Sequence, residues 1–363
     1  MSFVRALVRA VIPLQLRKVL VDAMEGVFRQ LPGEPAGLPQ HGLGETQVYP
    51  KGANLLKVLQ AATKEKLADL QLEPDTPVAS IGTCFAEEFA FFMTHERFNY
   101  IRTEDDDVAA SANWGRVYTI PNLLQIIRYS VEQNYPVLTA HSNRGWFDPL
   151  REARKSTYFE SADKGRAAIL DHRRASRRAF ADCRILIVTV GQNEAWFDKS
   201  SGHFWAKNPP REVLNARRDD FSVHEFSFAQ NVAGLMDAVK ILQSLNPGLK
   251  IVFTVSPVAS WATFSDKDVV SRSFANKCIL RAAVDNVVAS QPGRLFYFPS
   301  FEMVLCDNPR NFRADNRHVK YAAVARIFSL LSNSTSLHEG RATLPPRETT
   351  VPLTRGASVS NKH

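Results

Sequence analysis

Residues 184–193 read RILIVTVGQN, a short run of apolar and β-branched side chains that ends at Gly191. From Ile185 to Val190 the run is apolar at nearly every position, which is typical of a strand buried on both faces of a parallel sheet. Three other short apolar runs are bounded by turn residues in the same way. The predicted strands are therefore Pro77–Gly82, Arg184–Gly191, Lys250–Pro257 and Leu295–Pro299.

Helical patterns alternate with these strands along the chain. The predicted helices are Phe85–Arg97, Glu225–Leu245, Asp268–Ser290 and His318–Leu331. Alternating strands and helices of these lengths predict an α/β fold in which helices cover both faces of a parallel sheet.

The composition is that of a globular protein with a sizeable core. Of the 363 residues, 45% are hydrophobic and 23% are charged. This balance excludes a collagen-like chain, a disulfide scaffold and a wholly disordered chain. The longest apolar runs fall far short of the roughly 20 residues that a membrane-spanning helix needs.

The net charge of +8 suggests a nucleic-acid partner until it is divided along the chain. Residues 1–30 hold five basic and two acidic side chains, and residues 333–363 hold four and two, which leaves +3 for residues 31–332. A nucleic-acid groove needs its basic side chains in the folded part. The charge distribution therefore predicts no nucleic-acid partner.

The two ends of the chain differ from its middle. Residues 1–30 place Phe3, Leu7 and Val11 beside Arg5 and Arg9 in an amphipathic pattern, which predicts peripheral membrane contact or a helix packed on the domain. A linker rich in Gly and Pro completes a first region, 1–50. The folded domain is expected at 51–332 and a disordered tail at 333–363.

Four widely spaced cysteines form no CxxC pair, so they indicate neither a zinc site nor a disulfide framework. They favour a reducing compartment, and we expect a cytoplasmic protein, with peripheral membrane contact through residues 1–30 as an addition. Residues 82–84 lack the further glycines of a dinucleotide-binding turn. The sequence predicts no cofactor and no metal.

Chemically active side chains follow the predicted strands, where ligands bind in an open parallel sheet. Cys84 follows the first strand at the start of a helix, a position that lowers a thiol pKa. Asn193 follows the second strand. Asp315 and His318 are three residues apart, so they share a face if that segment is a helical turn. A thiol, a base with its orienting acid and an amide donor are the parts of a covalent catalytic site.

Four short blocks of sequence around these residues resemble the GSCFA family, which is regarded as a branch of the SGNH/GDSL hydrolase superfamily. The resemblance extends from about Lys51 to Leu331. Gly82-Thr83-Cys84-Phe85-Ala86 resembles the family signature, with Thr83 in place of the usual Ser. The other blocks are Asn113-Trp114-Gly115-Arg116-Val117-Tyr118, Gly191-Gln192-Asn193-Glu194 and Asp315-x-x-His318.

The resemblance implies a flavodoxin-like three-layer α/β/α fold and a hydrolase or acyltransferase site. By position, His318 would be the base and Asp315 its orienting group, while Gly115 and Asn193 would bind the oxyanion. The superfamily's nucleophile lies two residues after the glycine, which is Cys84. Thr83 is the alternative nucleophile, or else a helix cap.

The function expected from these residues is attack on an ester or thioester acyl group, by hydrolysis or by transfer to an acceptor, with a glycan or a lipid as the wider substrate. The superfamily's Ser is absent. The alternative is therefore a non-catalytic glycan-binding or scaffold protein that keeps the fold.

Overall fold

A computed structural model describes residues 45–50, 55–104, 110–132, 135–154, 157–306 and 311–332. The amphipathic segment at 1–30 and the tail from 333 lie outside these residues, as does most of the linker at 31–50.

The chain forms nine strands and nine α-helices in these ranges. The strands are β1 Val78–Gly82, β2 Ala140–Ser142, β3 Gly145–Phe147, β4 Ile185–Val190, β5 Glu194–Asp198, β6 His203–Phe204, β7 Phe221–Glu225, β8 Lys250–Val255 and β9 Leu295–Tyr297. The helices are α1 Leu55–Lys66, α2 Cys84–His95, α3 Ile120–Val131, α4 Ala162–Asp182, α5 Arg211–Ala216, α6 Phe228–Leu245, α7 Val269–Ala289, α8 Ser300–Leu305 and α9 Tyr321–Ser332.

The central sheet has four parallel strands in the order β1-β4-β8-β9, which confirms the predicted α/β class and all four predicted strands. Gly82 pairs with Thr189, and Thr189 pairs with Thr254. Because these pairs are level, the carboxyl ends of β1, β4 and β8 lie side by side along one edge of the sheet.

Alternation of side chains along the strands builds a hydrophobic core on each face of the sheet. Leu186 and Val188 of β4 join the core formed with α3, α4, α6 and α7. Ile185 and Ile187 point the other way and join the core formed with α1, α2, α8 and α9. The result is the three-layer α/β/α arrangement that the sequence analysis expected.

The remaining strands form two small antiparallel sheets, β2-β3 and β6-β5-β7, inserted between elements of the main layers. Strand β7 ends at Glu225, where the sequence analysis placed the start of a helix; helix α6 begins only at Phe228, after Ser227 caps it with a hydrogen bond to the N–H of Gln230. No helix in the described ranges has the length and apolar character needed to cross a membrane.

Candidate active site

A cavity of about 450 Å³ opens at the carboxyl edge of the central sheet. Its wall is built from the turns that follow β1, β4 and β8, together with the segment before α9 and one side chain of α7. The residues that line it are Thr83, Cys84, Arg116, Tyr118, Gly191, Gln192, Ala206, Lys207, Asn208, Ser256, Val258, Ala259, Trp261, Ala262, Phe264, Lys277, Arg317 and His318.

The turn between β1 and α2 carries the cysteine into this cavity. Gly82 has φ +146°, and a Cβ on it would lie 2.3 Å from the Thr189 carbonyl oxygen, so this position requires glycine. Helix α2 then begins at Cys84, and Cys84 lines the cavity. The sharp turn therefore brings the thiol to the open end of the sheet.

Thr83 has a structural role at this turn. Its hydroxyl accepts a hydrogen bond from the N–H of Phe85 at 3.2 Å, and the residue is 2% exposed. Helix capping of this kind satisfies one of the unpaired N–H groups of the first turn. Thr83 lines the cavity as well, but its hydroxyl oxygen is engaged by the helix, whereas no such bond engages the Cys84 thiol among the residues that the structure describes.

Charges around Cys84 act in opposite directions on its pKa. Burial raises the pKa of the thiol, Arg116 and Lys277 lower it, and Glu87 and Glu88 raise it. The net effect is a raised pKa. The sequence analysis expected the helix start to lower it, and that expectation is wrong because the cost of burying the charged thiolate is larger.

Arg116 is held by acidic neighbours at the cavity wall. Its Nε donates to Glu87 at 3.0 Å, and its backbone N–H donates to Glu152 at 2.8 Å. Glu87 and Glu152 also bind Arg154, and Glu152 binds Lys207. Burial opposes ionisation of Glu152, but Lys207 and Arg116 keep its pKa below the ordinary value. The cations Arg116 and Lys207 are thus already paired.

His318 and Asp315 form the predicted acid–base pair, although not on a helix. The two residues lie in a turn before α9, in which Asn316 has φ +56°. Asp315 Oδ2 lies 2.5 Å from His318 Nδ1, and Oδ1 accepts the backbone N–H groups of Arg317 and His318, both at 3.0 Å. Burial acts against ionisation of Asp315, but these hydrogen bonds hold its pKa well below the ordinary value.

The turn is anchored so that the imidazole faces the cavity. The Arg317 guanidinium donates to the carbonyl oxygen of Ala259, at 3.2 Å from Nε and 3.1 Å from Nη2. Ala259 lies in the loop after β8, and His318 itself lines the cavity while remaining half-exposed. With Nδ1 bound to Asp315, the other ring nitrogen of His318 is left for a ligand.

A lysine that sequence reasoning missed completes the wall. Lys277 of α7 is 4% exposed, and its Nζ donates to the carbonyl oxygen of Gly191 at 2.6 Å. Burial lowers the pKa of Lys277 to about 7, while Cys84 acts to raise it. Its signal in the sequence is its position on the buried stripe of α7, which continues through Leu280 and Val284.

A family model supplies an independent comparison. The model of the GSCFA family matches residues 77–330, more than two thirds of the chain. The chain belongs to the GSCFA family. The match extends from β1 to α9 and so includes every strand of the central sheet and the whole cavity wall. No curated protein matches the sequence significantly.

The glycine-asparagine block of this GSCFA protein places Gln192 in the cavity and Asn193 outside it. Asn193 Nδ2 donates to the Phe226 carbonyl oxygen at 2.6 Å, and its Oδ1 accepts from Asn231 Nδ2 at 2.7 Å. The residue is 1% exposed. Its amide joins the start of α6 to the end of β4 and is turned away from the oxyanion role that we expected.

Gly115 also differs from its expected role. It has φ +65°, and a Cβ on it would lie 2.7 Å from the Cβ of Glu152. Gly115 does not line the cavity, but its neighbours Arg116 and Tyr118 do. The glycine therefore allows a left-handed turn packed against Glu152, which positions Arg116 at the wall.

Glu194 is the last residue of the Gly191-Gln192-Asn193-Glu194 block. Its side chain holds in place the loop that contributes Trp261 and Phe264 to the cavity wall. Its carboxylate accepts from the Thr263 hydroxyl at 2.8 Å and from the N–H of Phe264 at 3.0 Å. It also accepts from Arg272 and Asn276 of α7, at 3.4 and 3.3 Å. The loop thus presents Trp261, 78% exposed, and Phe264 at the cavity rim.

Within the described ranges, no group of three His, Cys, Asp or Glu side chains suits a metal ion.

Proposed function

We propose that this GSCFA protein is an SGNH-like acyl hydrolase or acyltransferase with Cys84 as its nucleophile. The observation that carries the proposal is that Cys84 and the Asp315-bound imidazole of His318 line one cavity, although 234 positions of sequence separate the thiol from the imidazole. A nucleophile, a base and an orienting acid at one ligand-binding edge are the parts of covalent acyl transfer.

The chemistry proceeds in two halves. The Cys84 sulfur attacks the carbonyl carbon of an ester or thioester. A basic side chain of the cavity takes the thiol proton and passes it to the departing alcohol or thiol, and the acyl group remains on Cys84 as a thioester. In the second half His318 takes the proton of the acceptor, whose oxygen attacks the thioester. The sulfur leaves as the thiolate, and the proton on His318 returns to it. Water as acceptor gives hydrolysis, and a sugar hydroxyl gives transfer.

Two groups that the sequence analysis did not name are candidate donors to the developing oxyanion. Gln192 lines the same cavity as Cys84, and the backbone N–H of Cys84 stands at the first position of α2. N–H groups at a helix start point at a bound anion. We propose that Gln192 and this N–H bind the oxyanion in place of Asn193 and Gly115.

The proposal is tested with aryl esters and acyl thioesters on matched variants. We expect Cys84→Ala to abolish turnover and His318→Ala to lower it by about a hundredfold or more. Cys278→Ala removes an exposed cysteine away from the cavity wall and keeps turnover at the wild-type level. Thr83→Val, with the shape of threonine and no hydroxyl, keeps the acyl-enzyme mass increment if Cys84 is the nucleophile. Equal turnover by the wild type and Cys84→Ala contradicts the proposal.

A second candidate is a non-catalytic glycan-binding protein. It is favoured by the raised pKa of Cys84 and by the structural engagement of Asn193. Trp261 at the rim offers a flat apolar face to a sugar ring. In that case Cys84 reacts with alkylating reagents no faster than Cys278 at neutral pH. Tryptophan fluorescence then responds to glycans equally in the wild type and in Cys84→Ala.

A further inference from the structure

Lys277 combines burial, a cavity position and the absence of an acidic partner. It is 4% exposed, and among the residues that the structure describes, no carboxylate lies within ion-pairing distance of its Nζ. The neighbouring Glu194 is directed to Arg272 and Asn276 of the same helix instead. A buried lysine without a carboxylate is costly to keep charged.

The hydrogen bond to Gly191 fixes where the amine lies. Gly191 directly follows β4, the neighbour of β1 in the sheet, and a Cβ on Gly191 would lie 2.5 Å from Thr83 Cγ2. The carbonyl oxygen that accepts the hydrogen bond from Lys277 therefore belongs to a residue that packs against the turn that carries Cys84. Lys277 and Cys84 line the same cavity and act on each other electrostatically.

The other ionisable groups near the thiol suit proton acceptance less well. Arg116 stays charged and is bound to Glu87, and Lys207 is bound to Glu152. His318 is half-exposed and held by Asp315. The charged and titratable groups that face Cys84 and Lys277 across the cavity or from α2 are Glu87, Glu88, Arg116, Tyr118, Lys207, Arg317 and His318. Burial raises the pKa of Tyr118, so its phenol stays protonated.

We propose that Lys277 is the proton acceptor that activates Cys84, and that His318 serves the acceptor hydroxyl instead. As the sulfur attacks, the proton on Cys84 Sγ moves through one water molecule of the cavity to the lone pair of Lys277 Nζ, and the amine becomes an ammonium with no change in net charge. One N–H of the amine remains bonded to the Gly191 carbonyl throughout. The later transfer of that proton to a leaving group rests on the proposed function, but the proton exchange between Cys84 and Lys277 does not.

The electrostatics agree with this assignment. Burial lowers the pKa of Lys277 to about 7 and raises that of Cys84, so the neutral amine and the thiol coexist near neutral pH. Two interacting groups of this kind lose protons as a pair. The first proton lost on raising the pH therefore leaves Lys277, and the neutral amine that remains accepts the thiol proton only as the Cys84 sulfur attacks.

The test measures alkylation of individual cysteines and requires no acyl substrate. The full chain is treated with iodoacetamide from about pH 6 to about pH 10, a span that includes the ordinary thiol range. Modification at Cys84 and Cys278 is followed by peptide mass spectrometry, with the exposed Cys278 as internal standard. In the wild type we expect the rate at Cys84 to rise near pH 7, where Lys277 becomes the neutral amine that takes the thiol proton during attack, and therefore at a lower pH than the rate at Cys278. If the Cys84 rate rises only at a higher pH than the Cys278 rate, the wild type alone overturns the proposal.

Two substitutions separate proton acceptance from positive charge. Lys277→Met is expected to slow Cys84 alkylation at neutral pH by about tenfold or more, since a positioned general base contributes about 10²- to 10⁴-fold to a step that transfers a proton. Lys277→Arg keeps a charge but accepts no proton, so it is expected to remove the pH dependence near neutrality. Lys240→Met, on the exposed side of α6, is the control and leaves the profile unchanged.

Other outcomes count against the role of Lys277. If Lys277→Met keeps the wild-type Cys84 profile while the buried Cys183 stays unmodified and so reports an intact fold, Lys277 takes no proton from Cys84. If Lys277→Arg keeps that profile, the lysine acts only through its charge. A Lys277-dependent thiol in a protein that turns over no ester or thioester leaves this inference standing and removes the proposed function.

Discussion

Gly191 packs against Thr83 so closely that a Cβ on Gly191 would lie 2.5 Å from Thr83 Cγ2. This contact joins the turn after β4 to the turn after β1. It sets the Gly191 carbonyl, which binds Lys277, beside the start of the helix that carries Cys84. The geometry of the cavity floor therefore depends on a missing side chain at one position and a methyl group at the other.

Gly191→Ala is expected to destabilise the protein by about 1–3 kcal/mol, because the new methyl group overpacks a fixed contact. Thr83→Ser removes Cγ2 and should recover most of that loss in the double variant. Urea denaturation of both single variants and the double variant measures the coupling. Gly248→Ala is the control, since a Cβ there meets no atom nearer than 3.8 Å. Strictly additive changes in the free energy of unfolding would show that the methyl group added at position 191 is accommodated beside Thr83 without cost.

Asp315→Asn is expected to lower turnover by as much as about 10⁴-fold, the loss that follows when the orienting acid of a Ser-His-Asp triad is replaced by an amide. The new amide donates to His318 Nδ1, which forces the proton onto the other ring nitrogen. The ¹⁵N chemical shifts of the ring report this tautomer change without any substrate. Unchanged shifts together with unchanged turnover would remove Asp315 from the site.

The stability of the wild type relative to Lys277→Met is expected to rise with pH from about 7 to about 9. In this window the unfolded lysine keeps its proton, since its ordinary pKa is 10.5, whereas burial has lowered the folded pKa to about 7. The unfolded state binds more protons, so raising the pH favours the folded state, by at most about 1.4 kcal/mol per pH unit.

The buried thiol acts in the opposite direction at higher pH, but it does so in both proteins. Burial raises the pKa of Cys84 above its ordinary 9.0, so above that pH the unfolded thiol loses its proton first and the contribution of this thiol to stability falls. Denaturation midpoints of the two proteins across this range measure the difference. A difference that does not change with pH contradicts a lowered lysine pKa.

Trp261→Ala is expected to raise KM for a glycan or lipid substrate by about three- to tenfold with little change in kcat, because the ring contributes apolar contact at the rim and no chemistry. The side chain is 78% exposed, so the melting temperature should hardly change. Phe274→Ala is the matched control, an exposed aromatic of α7 outside the cavity wall. Equal KM values for both variants would place substrate away from this rim.

Much of the fold was predictable from local pattern. An apolar run such as Ile185–Val190 is short, β-branched and bounded by a glycine, and those properties belong to a buried parallel strand whatever its partners are. The same holds for the long stripe of α7. Helices α1, α3, α4, α5 and α8 and strands β2, β3 and β5–β7 were not predicted. Helix α3, for example, packs against α6, which lies about a hundred positions further along the chain.

The site was predictable only where the chemistry is local. Asp315 and His318 pair through a turn of four residues, so their spacing alone indicated the contact, although the helical turn expected there is replaced by backbone hydrogen bonds to the acid. Cys84 follows directly from its position after a buried strand.

The sequence did not predict the roles that depend on the direction of a side chain after a strand. Gln192 and Asn193 are neighbours in the turn after β4, and the turn places one at the cavity and the other against the start of α6. Lys277 shares the cavity with Cys84, 193 positions away, because helix packing, which no local pattern encodes, brings α7 over the end of β4. Local propensity thus specified the strands and the acid–histidine pair, and long-range packing selected the side chains that share the cavity with the thiol.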